Sequence, residues 1–166
     1  MVKLKGKDIA LIAIAAVMIV VIAAFGFPSP AGSGGQVTTT MIIDFEDSDA
    51  PLNPGNRTTW EMVGGSWKAT TESNANHSVW VFKNVTSGSN CYLQLLAASS
   101  IGGFQVATDN QTLGMLVTSI AGLTNQLGGG PGWQFWVNGV YANRSCNQIG
   151  IEDGDTVEWR YKPLEV

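Results

Sequence analysis

Side chains able to do chemistry are sparse in this sequence. One histidine (His77) and two cysteines (Cys91, Cys146) stand among 166 residues that include nine basic and thirteen acidic side chains. A single imidazole cannot build a multi-histidine zinc site, and two thiols cannot build a paired CxxC cluster. His77 lies inside Asn76-His77-Ser78 in a polar stretch, with no GxSxG or other nucleophile motif to accompany it. The carboxylate pair Glu152/Asp153 sits in a turn signal beside Gly154, and nothing marks a buried cleft around it. Asp44, Glu46, Asp47 and Asp49 could offer hard oxygen ligands to calcium, but the EF-hand spacing is missing and a solvated acidic turn is the simpler reading. The expectation is a protein with no catalytic residue and no metal ligand, hence not an enzyme.

Binding chemistry is more visible. Strand alternation over Trp133 to Asn138 sets Trp133, Phe135 and Val137 on one face and Gln134, Trp136 and Asn138 on the other. Trp136 is then a large indole among polar neighbours, near Tyr141 and the Gly128-Gly129-Gly130-Pro131-Gly132 loop, as an aromatic ligand platform requires. If the Trp136 face is instead the one covered by a helix, Trp133 becomes the exposed indole. Trp136, Tyr141, Gly130 and Trp133 are therefore the expected ligand-binding residues. The glycine run lacks the GxGxxG spacing of a phosphate loop and reads as a loose hairpin loop.

The remaining chemistry depends on compartment. Ile9 to Phe27 is an uncharged apolar run of 19 residues, long enough to cross a bilayer as a helix. Lys3, Lys5 and Lys7 precede it and no basic residue follows until Arg57, so residues 1–8 are expected in the cytoplasm and the chain after Pro28 outside. Residues 28–40, rich in Pro, Gly, Ser and Thr, read as a flexible tether. A second reading of the start is processing after Gly6, as in archaeal type IV pilin precursors. Outside, Asn56, Asn76, Asn84, Asn110 and Asn143 head Asn-X-Ser/Thr sequences that can accept glycans. Cys91 and Cys146 can there close a disulfide loop worth on the order of 4 kcal/mol, or remain buried free thiols. Six basic and twelve acidic residues follow the anchor, a net charge of −6, which is unsuited to nucleic acid.

The elements that must position these groups are short. Met41–Phe45, Ser78–Val85, Phe104–Ala107, Met115–Ile120, Trp133–Val137 and Thr156–Tyr161 read as strands, the last with Val157, Trp159 and Tyr161 inward. One soluble helix, capped by Ser89 or Asn90, is expected over Cys91–Ser99, with Tyr92, Leu95 and Leu96 on its apolar face and Gly102-Gly103 ending it. Residues 46–76, with Pro51, Pro54 and the Gly64-Gly65 pair, read as a long excursion with room for one hairpin. Asn138-Gly139 and Asp153-Gly154 are turn signals. The fold class expected is α+β.

Three blocks then carry a family resemblance: GMLVTSIAGL from Gly114, GWQFWVNGVYAN from Gly132 and EDGDTVEWRY from Glu152. In this order they resemble successive signatures of the transcobalamin C-terminal-like domain family, over about residues 85–163. The resemblance implies a β-grasp-like mixed sheet with one packed helix, here residues 41–166, in a stand-alone, membrane-anchored prokaryotic and archaeal member. In vitamin B12 carriers the corresponding domain closes over a corrinoid, so a corrinoid is the ligand implied, although nothing in the sequence requires a cofactor. The reading is a single-pass cell-surface protein with a small extracytoplasmic binding domain and the membrane, a small ligand or other surface proteins as partners. The alternative is a glycosylated surface structural or assembly protein, including a pilin-like subunit, with no small ligand.

Overall fold

The computed structural model describes residues 35–74, 77–126 and 128–163. The expected cytoplasmic segment, the anchor over 9–27 and the tether as far as residue 34 lie outside the described residues. Among the described residues no helix is long and apolar enough to cross a membrane.

Among the described residues, ten strands and one helix make an α+β fold. The strands are β1 (Gln36–Asp44), β2 (Asn56–Val63), β3 (Ser66–Ser73), β4 (Val79–Gly88), β5 (Val106–Gln111), β6 (Gly114–Ile120), β7 (Leu123–Thr124), β8 (Gly132–Val137), β9 (Val140–Tyr141) and β10 (Thr156–Lys162), and the helix is α1 (Cys91–Gly102). Seven strands form one mixed sheet in the order β3-β2-β4-β1-β10-β8-β9, and β5-β6-β7 form a second, smaller sheet. β1 pairs in parallel with β10, and β2 in parallel with β4, while the other pairs are antiparallel.

Alternation along β1 and β10 builds the core. Thr39, Met41 and Ile43 of β1 and Val157, Trp159 and Tyr161 of β10 are buried, as the period-two pattern requires of one sheet face. α1 packs over β4 and β1. Asn90 caps it, its side chain accepting from Leu93 N at 2.9 Å, and left-handed Gly103 closes it.

Three expectations need correction, and a fourth, the hairpin, is met but inside the main sheet. β1 begins at Gln36, so residues 36–40 are strand and not tether: Val37, Thr38 and Thr39 pair with β4, because a β-branched threonine run suits a ladder even without apolar bulk. The excursion over 46–76 does hold a hairpin, turned by Gly64 and Gly65 at φ 61° and 80°. That hairpin is β2–β3, and it extends the main sheet through β4. The helical face that is buried consists of Cys91, Gln94, Leu95 and Ala98, whereas Leu96 is exposed and Tyr92 only partly covered. Gln94 is accommodated because its Nε2 donates to Thr40 O at 3.1 Å and to Thr39 Oγ1. Finally, the strand expected over Phe104–Ala107 starts at Val106 and runs to Gln111, pairing with β6 outside the main sheet.

Candidate functional site: an apolar cleft beside the β5–β6 hairpin

β8 places its two indoles on opposite faces, as alternation demands. Trp133 joins the core, 5% exposed, with Nε1 donating to Leu123 O at 2.8 Å. Trp136 points from the other face, but it is 6% exposed. The Arg160 guanidinium lies 4.7 Å from its ring centroid, the Lys162 ammonium 5.6 Å, and the Tyr141 ring meets it edge-on at 5.3 Å. Long cationic side chains from β10 thus cover the indole that polar neighbours suggested would be free. Arg160 Nη2 also donates to Glu158 at 2.7 Å, and this hydrogen bond raises the Arg160 pKa further. Trp136 is therefore no open platform, and Trp133 does not become exposed in its place.

Gly130 is not at the cleft either. The two ends of its loop are held together: Gln126 N donates to Pro131 O at 2.9 Å, and Asn125 bridges Val117 O and Trp133 N at 3.0 and 2.8 Å. A Cβ at Gly130 would meet Gln126 at 2.8 Å, so glycine is needed there for close packing.

Tyr141 and Trp133 do line an open cleft of about 880 Å³. Its walls are the tip of the β5–β6 hairpin (residues 111–117) and the segment 141–148, and Phe135 and Trp159 contribute from β8 and β10. Phe135 stacks on Trp159 at 4.7 Å, and Trp159 Nε1 finds no acceptor among the described residues. The rim is apolar: Leu113 is 83% exposed, Leu116 45% and Tyr141 42%. Polar contacts hold the two walls together. Ser145 Oγ and Gln148 Nε2 both donate to Leu113 O, at 3.0 and 3.2 Å, and Met115 N donates to Asn147 Oδ1 at 3.2 Å. Gly114, at φ 122°, permits this approach, since a Cβ there would sit 2.4 Å from Ser145 Oγ. The ionisable groups lining the cleft are Tyr141, Arg144 and Cys146.

Cys91 and Cys146 are brought side by side but are free thiols, both buried, which corrects the expected disulfide. Tyr92 N donates to Cys146 O and Cys91 N to Ile149 O, each at 3.2 Å, so the start of α1 is stitched to the 146–149 segment by backbone and not by sulfur. Burial, followed by the neighbouring Cys146, pushes the Cys91 thiol up to about 12, and burial pushes Cys146 up to about 11. Neither is a thiolate near neutrality, the form that disulfide exchange needs.

The possible glycan acceptors differ in presentation. Asn84, Asn110 and Asn143 are exposed, Asn56 is partly covered with Nδ2 donating to Pro54 O at 3.0 Å, and Asn76 lies outside the described residues. Asn84 has φ 55° in a bulge where Lys83 and Asn84 together oppose Thr40. In the acidic turn, Asp44 accepts from Glu46 N at 2.8 Å and contacts His77 Nε2 at 3.1 Å. Among the described residues no three acidic, histidine or cysteine side chains stand together as metal ligands would.

The hairpin residues Leu113 and Leu116, and Arg144 on the opposite wall, escaped the sequence reading. The available signals were a leucine at the tip of a turn and an unbroken Met115-Leu116-Val117 run, which leaves apolar groups on both faces of β6.

Residues 92–163 are similar to a family described as a domain of unknown function, DUF4430. No curated protein matches the chain. A crystal structure of a protein from Ruminococcus gnavus ATCC 29149, whose description suggests metal binding, is similar with a TM-score of 0.44 and 13% identity, over 78% of this chain and 99% of that one. Haptocorrin in complex with Cbi is similar with a TM-score of 0.47 and 12% identity over 87% of this chain. This chain spans 28% of the haptocorrin chain's length.

Proposed function

We propose that this protein is a binding module, held at the outer face of a membrane by its N-terminal apolar segment, whose cleft takes a small molecule with a broad apolar surface. The observation that carries this is the cleft: an opening of about 880 Å³ whose rim leaves Leu113, Leu116 and Tyr141 in water although a folded domain normally buries such groups or uses them. Its ionisable groups are a cation, a phenol and a buried thiol, a set suited to holding a ligand. Among the described residues of the lining Arg144 supplies the charged side chain, so an anionic or carbonyl-bearing edge on the ligand is favoured. The core order β4-β1-β10-β8 with α1 packed against β4 and β1 supports the β-grasp-like reading. A corrinoid, the ligand implied by the sequence resemblance, has the required breadth and polar rim. Exposed Asn84 and Asn110 are the acceptors best placed for glycans, because Asn143, although exposed, lines the cleft.

The test is a tryptophan-fluorescence titration of the full chain in detergent against a metabolite panel that includes cobalamins. Leu116→Glu places a charge on the cleft rim without touching the core. We expect a saturable change in the wild type and at least roughly tenfold weaker binding in the variant, the equivalent of about 1.4 kcal/mol. Equal titration of both proteins would remove the site from the cleft, and silence across the panel would end the small-molecule reading.

A further inference from the structure

The outer edge of β3 is open. β3 is the last strand on its side of the seven-stranded sheet, and none of the described residues pairs with its far side. It runs for eight residues, nearly all exposed, with no proline and no bulge to spoil further pairing. Proteins usually disarm such an edge, often with a lysine. β3 carries Lys68, but it also carries Glu72, four residues along on the same sheet face.

We infer that β3 pairs antiparallel with β3 of a second copy of this chain about a two-fold axis through Thr70. An axis perpendicular to the sheet keeps side chains of paired residues on the same face, so their numbers must sum to an even value. A sum of 140 centres the pairing on Thr70 opposite Thr70 and sets Lys68 opposite Glu72 of the other copy, twice. Shifting the register by two residues in either direction sets Lys68 opposite Thr70 or Asn74 instead and loses both pairs. Within the chain, β2 already places Glu61 beside Lys68 and Arg57 beside Glu72, and Lys83 of β4 lies 3.7 Å from Glu61. In this register, charges therefore alternate in one continuous row: Lys83, Glu61 and Lys68 of one copy, then Glu72 and Arg57 of the next. Arg57 meets Glu72 at 3.9 Å, and both remain well exposed, so Glu72 is free to accept a second cation. A lysine that would repel a foreign edge is thus matched when the partner is this same sequence.

Cysteine cross-linking of the full chain in its membrane tests register and partner together. Paired Thr70 Cα atoms would stand about 4.5–5.5 Å apart, within disulfide range. The two Ser66 residues would be separated by about 26 Å along the ladder. Thr70→Cys should therefore link into a reducible dimer under mild oxidation, and Ser66→Cys and the wild type should not. Adding Lys68→Glu to Thr70→Cys sets like charges opposite each other twice and should lower the linked fraction roughly tenfold. Adding Glu72→Lys to that variant should restore it. The proposal is overturned if Thr70→Cys stays monomeric, if Ser66→Cys links as readily, or if charge reversal leaves the yield unchanged in a protein whose circular dichroism is native.

Discussion

Trp136 shows how far a side chain's fate depends on its neighbours across the sheet. Alternation assigned its face correctly, yet Arg160 and Lys162, two residues apart on β10, bring their cationic heads over the indole, which is only 6% exposed. The cysteines make the same point: two thiols in a chain with an apolar N-terminal segment are reasonable disulfide partners, but here they are buried free thiols in the core. This has a consequence for pH. Well below pH 9 both thiols are protonated in the folded and unfolded chain alike, so they add no pH dependence there. Above it the unfolded chain releases protons that the folded chain keeps, up to about 11 at Cys146 and about 12 at Cys91. Stability should therefore fall as pH rises from 9 towards 11, by at most about 1.4 kcal/mol per pH unit for each thiol. Urea midpoints between pH 8 and 10.5 measure this, and the Cys91→Ala/Cys146→Ala double variant should show a flatter profile. An equal slope in both proteins would mean that the thiols titrate normally.

Among the elements, those with a strong local signal were legible. The Val157, Trp159, Tyr161 alternation located β10, and the Asn138-Gly139 pair, at φ 51° and 78°, turns β8 into β9. The helix was legible through its punctuation, with Asn90 before it and Gly103 after it. Its buried face was not, because Gln94 points into the core and finds partners on β1, 54 and 55 residues earlier. The cap makes a clear prediction. Asn90→Ala removes the acceptor for Leu93 N and should cost about 1 kcal/mol, read as a lower denaturant midpoint at unchanged m-value. An unchanged midpoint would show that the Asn90 backbone, which also bridges to Gly150, holds the helix start without the side chain. β2, β3 and β7 were harder to read, since Thr-rich and two-residue strands carry little hydrophobic period and are held by the strands beside them.

For the whole molecule, the apolar segment over 9–27 and the lysines before it lead to a test of placement. The full chain should stay with the membrane pellet through an alkaline carbonate wash, and protease added to intact cells should remove epitopes beyond residue 40 while sparing an N-terminal tag. Recovery in the wash supernatant, or a protected C-terminal domain, would contradict the proposed topology. Much of this protein follows from properties that act over a few neighbouring residues: α+β class, five of the six expected strand positions, one capped helix and the turns, because backbone preference and side-chain alternation are local. The cleft was not readable in that way. It exists because the β5–β6 hairpin leaves the main sheet and is fastened by Leu113 O to Ser145 and Gln148, 32 and 35 residues later. Which indole is covered, whether two distant thiols bond and which sheet edge stays open likewise depend on how the elements stack, and burial is a property of that assembly and not of any residue within it.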